Sequence, residues 1–310
     1  MRARTCARSI SRPVWERLQA RLPPARVLAV FERACDLATA GGDVIALVTP
    51  QIGDGPLNVV LEEKDHSFAG FEPGTPAWLE GGRLHIGGLV VELDGAALWE
   101  PRPDWESLRA GREDLVDRLP LLRALALRHA PAGSLLTLTS TPAGGPGAAF
   151  DPAREAIETL RTGWENDAAR LQAGAIRLAG LGGGLTPSGD DFLTGLMLWG
   201  WLAHPDPSYL CHLLAQAAAP RTTTLSAALL WAAARGECSA AWHALLAALW
   251  QGSDEEIAGA VPGVLAHGAT SGADALAGFL WLGLFRDADF VPKIPMGSGR
   301  IVCARITVEL

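Results

Sequence analysis

The sequence predicts an α+β protein in which a β-rich N-terminal domain, a barrel or a sandwich, precedes a mostly α-helical C-terminal domain with an internal pseudo-repeat. Short apolar runs rich in β-branched residues, separated by turn signals, occupy the first hundred residues. Longer segments with helical periodicity follow them. The change in character near residues 101–103 predicts two domains, residues 1–104 and 105–310.

The N-terminal elements follow from these runs. Residues 44–49 and 57–61 are apolar and strand-like, and the turn signal between them is dense. Residues 83–93 predict a strand pair or one bent strand. Residues 27–40 predict a short helix that leads into the domain. The basic residues at the start of the chain predict a solvated tail.

The C-terminal elements are helices separated by glycine and proline. Residues 105–129 are helical by composition and period, and residues 142–147 predict a loop or hinge. Apolar residues at helical spacing predict one long helix over 151–179. The tail at 300–310 alternates weakly, which predicts a returning strand. Six more helices are predicted at about 189–203, 206–218, 224–235, 239–251, 254–266 and 272–286.

Composition excludes several classes of protein. A net charge of −8 argues against a protein that coats nucleic acid. No apolar stretch is long enough to span a membrane, and five scattered cysteines without a Cys-x-x-Cys pair suit the reducing cytoplasm. The seven histidines show no metal-ligand spacing, so no metal or other cofactor is predicted; Mg²⁺ is possible, although no ligand spacing supports it.

One phrase, Ser-Gly-x-Asp-x-Leu-x-Gly, occurs twice, at residues 188–195 and 271–278. Each copy leads into an apolar helix and predicts a capping box with serine as the N-cap and aspartate at the third helical position. In the first copy, Thr186 and Pro187 offer an alternative N-cap and first helical residue slightly earlier. The glycine four residues after each aspartate costs about 1 kcal/mol within a helix. Close approach of another backbone is the usual reason for such a glycine, which places a second chain segment on the aspartate's face of the helix.

Two matching helix starts can converge on one ligand. Free backbone N–H groups, hydroxyls and the Arg221 phrase that opens another helix would hold an anionic group. Asp191 and Asp274 would orient a group that bears N–H, with Asp190 as a further acid. A purely structural role, in which the repeats are caps and glycine-mediated helix crossings, stays open. The candidate catalytic residues are Asp190, Asp191 and Asp274, and the candidate anion-binding residues are Gly184, Thr186, Ser188, Gly189, Arg221, Thr222, Thr223, Thr270, Ser271 and Gly272.

The phrases at 184–195, 221–226 and 267–278, with the segment at 47–57, resemble a bacterial family associated with the AllH-type subunit of oxamate carbamoyltransferase. The resemblance covers roughly residues 40–285. It implies a cytoplasmic complex with FdrA-like and other subunits that moves a carbamoyl group between phosphate and oxamate in allantoin and purine-nitrogen degradation. The substrates it implies are carbamoyl phosphate and oxamate.

The resemblance carries no residue-level roles, so the candidate residues rest on the chemistry of the motifs. The chain lacks the Ser-x-Arg-Thr phosphate motif of ordinary aspartate and ornithine carbamoyltransferases, so its mechanism must differ from theirs in detail. The alternative hypothesis is a non-catalytic ligand-binding or assembly subunit of the same complex.

Overall fold

The computed structural model describes residues 3–20, 23–140 and 152–284. A β-barrel is followed by a helical region, which confirms the predicted α+β class. The strands are β1 Ala3–Ser11, β2 Ala25–Val30, β3 Ala34–Thr39, β4 Val44–Val48, β5 Asn58–Leu61, β6 Pro76–Glu80, β7 Arg83–Ile86, β8 Leu89–Glu92 and β9 Ala97–Trp99. The helices are α1 Arg12–Gln19, α2 Trp105–Ala110, α3 Arg112–Asp117, α4 Leu119–His129, α5 Pro152–Gly163, α6 Ala168–Leu178, α7 Ser188–Ala203, α8 Pro207–Ala218, α9 Thr224–Ala234, α10 Ala240–Gln251, α11 Asp254–Leu265 and α12 Ser271–Leu284, with 3-10 helices at Leu135–Ser140 and Ala219–Arg221.

Eight strands close the barrel, which decides between the predicted barrel and sandwich. Hydrogen-bonded neighbours follow the order β1-β5-β4-β3-β2-β6-β7-β8, and β8 pairs with β1 again. Closure pairs both edges of each of these strands. The short β9 continues beyond β8 along β1, in parallel. Apolar side chains from the strands, such as Ile10, Leu37 and Leu84, form the barrel's core and are at most 1% exposed.

The helix predicted over residues 27–40 is wrong. This segment forms β2 and β3, which pair antiparallel with Val27 opposite Leu37. Exposed Arg26 lies between buried Ala25 and Val27, which is the two-residue period of a strand. Each of these strands is paired on both sides, and that tertiary pairing outweighs a weak local preference for helix.

The solvated tail predicted at the N-terminus is also wrong. β1 pairs with β5 along one edge and with β8 and β9 along the other. Arg4 and Arg8 are exposed, whereas Thr5 and Ala7 are buried, so the charged residues lie on the outer face of a strand. The helix α1, which was not predicted, follows at once and packs Val14 against the barrel core.

The two longest predicted helices are broken in the structure. Residues 105–129 form α2, α3 and α4, and residues 151–179 include α5 and α6 rather than one helix. Asp167 caps α6 by accepting a bond from the N–H of Arg170 (3.0 Å). Gly174 of α6 lies against Ala156 and Leu160 of α5. Folding back buries the apolar face of each helix on the other, which one continuous helix could not do.

The six later helices are confirmed within two residues at each end. The predicted loop at 142–147 and strand at 300–310 lie outside the described residues. No helix in the described part of the chain is long and apolar enough to cross a membrane.

Helix α9 connects the barrel to the rest of the helical region. Its Leu225, Ala228 and Leu229 pack on an apolar patch on the outer surface of β4 and β5. Backbone bonds reinforce the junction, including Cys238 N–H to the Pro101 carbonyl (2.9 Å). The start of α9 contacts Asp190 near the start of α7, so α9 links the barrel to the first of the two helices that carry the repeated phrase.

Candidate functional site

The two helices that carry the repeated phrase, α7 and α12, cross at their glycines. A Cβ on Gly195 would overlap the carbonyl oxygen of Ala275, and a Cβ on Gly278 would overlap that of Phe192. In both copies the glycine seven residues after the serine meets the residue four after the other serine. The two backbones therefore approach equivalently from both sides, and the close approach predicted from the glycines is confirmed.

The crossing brings the two helix starts together. The hydroxyls of Thr186 and Ser271 lie 2.9 Å apart and share a hydrogen bond. Thr186, Ser188, Thr270 and Ser271 are all half-buried, and we refer to these four side chains as the hydroxyl rim. The rim lies beside the two aspartates of the repeat, Asp191 and Asp274, which we call the acid pair.

The predicted capping boxes do not form as expected. Ser188 is the first residue of α7, and Pro187 is its N-cap, without a side-chain capping bond. Ser271 likewise is the first residue of α12. A serine inside the first turn has helical dihedral angles, and its hydroxyl does not cap the N–H groups of its own helix. The serine hydroxyls instead face the opposite helix.

Asp191 is a buried carboxyl group in an environment that favours its neutral form. It is 8% exposed, and its Oδ2 has no hydrogen-bond partner among the described residues. Burial raises its pKa to about 8, with further increases from the charges of Asp274 and Asp190. The hydroxyls of Ser271 and Thr186 act in the opposite direction and lower it.

Asp274 is fully buried and more strongly held. Its Oδ1 accepts a bond from the backbone N–H of Leu135 (2.6 Å), while its Oδ2 has no partner among the described residues. Burial raises its pKa; the Leu135 N–H and the hydroxyls of Ser188 and Thr270 partly offset that rise. In the part of the chain that the structure describes, no cationic side chain contributes to the pKa of either member of the acid pair. The described residues contain no cluster of three or more metal-ligating side chains.

Asp190 adjoins Asp191 in sequence but serves a different neighbour. Its carboxylate accepts bonds from the Gly180 N–H (3.1 Å), the Ser226 hydroxyl (2.9 Å) and the Thr222 hydroxyl. Asp190 and Asp191 diverge around the helix, so one meets α9 and the other meets α12. Asp190 therefore joins the loop before α7 to the start of α9. Its carboxylate oxygens are occupied by these hydrogen bonds within the protein.

The Arg221–Thr223 segment is not brought to the acid pair as an anion site. Thr222 donates to Asp190, and Thr223 caps α9 by accepting from the N–H of Ser226 (3.1 Å). Arg221 is exposed beside an open depression that Gln172 and Gln216 also line, and it does not influence the pKa of either acid. The hydroxyls of this phrase are occupied by the fold.

The glycine N–H groups are also occupied. Gly189 donates to the Leu181 carbonyl (2.9 Å), and Gly272 donates equivalently to that of His267 (3.0 Å). A Cβ at either position would overlap a carbonyl of the preceding helix, so both glycines are needed for packing. Gly184 lies in the exposed loop before α7 with φ +87°. An anion at this site would therefore rely on the hydroxyl rim rather than on these two N–H groups.

Two residues that donate hydrogen bonds to the aspartates, Leu135 and Ser226, were not predicted from the sequence. Leu135 acts through its backbone N–H, for which a sequence carries no signal. Ser226 lies in the first turn of α9, whereas Thr222 precedes the helix in an extended conformation, so helical spacing within the phrase at 221–226 gives no signal that both hydroxyls bind Asp190.

Replacing Ser226 tests the role of Asp190. Ser226→Ala removes a buried donor to a carboxylate and should lower the free energy of unfolding by about 1.5–3 kcal/mol, measured by urea denaturation. Thr224→Ala is the matched control, because Thr224 is exposed in the same turn; it should change stability by less than about 0.5 kcal/mol. Equal effects of the two variants would contradict the role of Asp190 in joining the loop before α7 to the start of α9.

Two models of known protein families match this chain, one over the helical region and one over the barrel. The model of the oxamate carbamoyltransferase subunit AllH matches residues 178–283, which contain α7 to α11 and nearly all of α12. The chain belongs to the AllH family. The model of the AllH family N-terminal domain matches residues 6–98 of the barrel, and the two matches cover most of the chain. No curated protein and no solved structure matches this AllH chain.

The family name indicates both an assembly and a reaction. AllH is named as a subunit, which implies a multi-subunit complex, and its reaction is named as oxamate carbamoyl transfer. The acid pair, the hydroxyl rim and both crossing glycines fall within the matched residues. The matched region and the site reached through the repeat are therefore the same part of the chain.

Proposed function

We propose that this chain takes part in carbamoyl transfer between phosphate and oxamate, in allantoin degradation, and that its substrate binds where α7 and α12 start. The observation that carries the proposal is the meeting of the two starts over a buried acid pair. Each acid keeps one carboxyl oxygen without a partner among the described residues. Buried polar atoms of this kind are rare and need an explanation, and a bound ligand is one.

The chemistry of the substrate suits these groups. Carbamoyl phosphate and oxamate each combine an amide NH₂ with an anionic end. The free oxygens of the acid pair can accept the two N–H bonds, and the hydroxyl rim can donate to the anion. A neutral Asp191 leaves the acid pair with one negative charge at most, which limits its repulsion of an anionic ligand. Fixed donors and acceptors at a buried site favour positioning and electrostatic catalysis.

The experiment is an Asp274→Asn substitution in the complex assembled with its partner subunits. Asparagine keeps an oxygen for the Leu135 N–H but loses the charge that orients the substrate nitrogen. Carbamoyl phosphate formation should fall at least about 100-fold, the loss typical when a key electrostatic contact is removed. Thermal-shift titration with oxamate should show weaker protection than in the unsubstituted complex.

Asp114→Asn is the control, since Asp114 is exposed on α3, and it should leave the rate unchanged. An Asp274→Asn complex with full activity would contradict the proposal. It would favour the alternative role, a non-catalytic ligand-binding or assembly subunit, particularly if the complex still requires this chain for activity.

A further inference from the structure

We propose that Asp191 is the general acid of the transfer: it passes its proton to the nitrogen of the departing oxamate while Asp274 stays ionised beside it. The inference rests on the proposed function and assigns different chemistry to the two members of the acid pair, which the repeat places at equivalent positions.

Burial and charge require a proton or an ionic partner at the acid pair. Asp191 is more than nine-tenths buried and Asp274 is fully buried, and each has a free Oδ2 among the described residues. Two carboxylates whose charges interact in a poorly hydrated site cannot both be ionised cheaply. Because no cationic side chain of the described ranges acts on either group, one proton shared by the pair is the simplest way to lower that cost.

Hydrogen bonding decides which carboxyl carries the proton. Asp274 accepts the Leu135 N–H at 2.6 Å, a donor that favours the ionised form. No backbone N–H of a described residue donates to the carboxyl group of Asp191, and the donors that act on it there are hydroxyls, which can also accept. The proton therefore resides on Asp191, consistent with a pKa raised to about 8, chiefly by burial.

The described elements packed around α7 add no competing charge at this point. Among the residues that the structure describes, only Asp190 on α7 and Asp274 on α12 shift the pKa of Asp191 by their charge. Helix α9 contains no titratable residue. The remaining ionisable residues of the neighbouring helices are Glu106 and Arg109 on α2, Arg170 and Arg177 on α6, and Tyr209, Cys211 and His212 on α8.

The proposed step balances without a redox partner. An oxygen of hydrogen phosphate attacks the carbamoyl carbon of N-carbamoyl-oxamate, and the bond from that carbon to the oxamate nitrogen breaks. The proton of Asp191 goes to that nitrogen, so oxamate leaves as a neutral amide rather than as an amide anion. The proton of hydrogen phosphate then restores Asp191. In reverse, Asp191 first passes its proton to the phosphate of carbamoyl phosphate, and the resulting carboxylate removes a proton from the oxamate nitrogen as that nitrogen attacks the carbamoyl carbon.

The two reaction directions should have the same pH dependence in the assembled complex, because the net reaction neither takes up nor releases a proton above neutral pH. Phosphorolysis of N-carbamoyl-oxamate needs protonated Asp191, so its rate should fall about tenfold per pH unit above pH about 8. The reverse reaction starts from the same protonated form of Asp191, so its rate should fall in parallel. Asp191→Asn should slow both directions at least about 100-fold and remove this pH dependence. Asp191→Glu should restore part of the rate.

Ligand protection separates this inference from the proposed function. In thermal-shift titrations, oxamate should still stabilise the Asp191→Asn complex, because the neutral amide keeps an acceptor for the substrate. Oxamate protection with a rate and pH profile unchanged by Asp191→Asn would overturn the assignment of Asp191 alone. Absence of protection by oxamate and carbamoyl phosphate in the unsubstituted complex, with an active Asp274→Asn variant, would overturn the proposed function as well.

Discussion

Gly195→Ala should lower the free energy of unfolding by at least about 3 kcal/mol, at the upper end of overpacking effects. The new methyl group would overlap the Ala275 carbonyl, which belongs to helix backbone and cannot move like a flexible side chain. The helices α7 and α12 would have to separate, which would also loosen the contact at Gly278. Urea denaturation followed by circular dichroism measures the loss.

Gly259→Ala is the matched control for this prediction. Gly259 lies inside helix α11, and a Cβ there meets no atom within 4 Å. Alanine should therefore stabilise the protein, by up to about 1 kcal/mol, through helix propensity alone. Gly278→Ala should resemble Gly195→Ala, because its Cβ meets the Phe192 carbonyl equivalently. A stable Gly195→Ala protein would show that the crossing is looser than the structure indicates.

Asp191→Asn should stabilise the isolated protein, and the gain should grow with pH. The folded-state pKa of Asp191, about 8, exceeds its ordinary value of 3.8, so between these values the folded state binds one more proton than the unfolded state. Its contribution to stability is complete below pH about 4 and declines by up to about 1.4 kcal/mol per pH unit until pH about 8. Asparagine stays neutral throughout and does not incur this loss.

Urea midpoints from pH 5 to pH 8 measure this effect as a difference between the two proteins. The difference is needed because Asp36, whose pKa burial raises to about 6, also titrates in this range and is present in both. The stability curves of the two proteins should already be separated at pH 5, and their separation should grow steadily towards pH 8. Parallel curves would show that Asp191 is ionised in the folded protein at neutral pH, and would remove the basis for its role as an acid.

The packing role of the repeat could be predicted from the sequence because it depends on the spacing of its residues. An aspartate and a glycine four residues apart must share a helix face, and a glycine inside an apolar helix implies that something packs closely there. Both conclusions hold in the structure. The later helix boundaries were equally predictable, since glycine and proline mark the places where a helix must stop.

The sequence predictions that the structure contradicts have a different cause. The segment at 27–40 and the basic N-terminus were misread because strand identity there depends on neighbours that are remote in the chain, such as β5 against β1. The predicted capping boxes did not form, although the Ser-x-x-Asp motif fits a cap. The helices α7 and α12 begin at the serine itself rather than at the residue after it. The divergence of Asp190 and Asp191 could be predicted from helical geometry, but not which helix each would meet.

Local sequence thus determined the later helix boundaries to within two residues, the shared face of acid and glycine, and the apolar strands β4 and β5, because these depend on short-range stereochemistry and periodicity. Only the tertiary structure decided that the two starts meet, that Leu135 holds Asp274 and that Asp190 is occupied by α9. These contacts join residues far apart in the chain. The raised pKa of Asp191 belongs to the same group, because burial and a facing carboxylate exist only once the helices have packed.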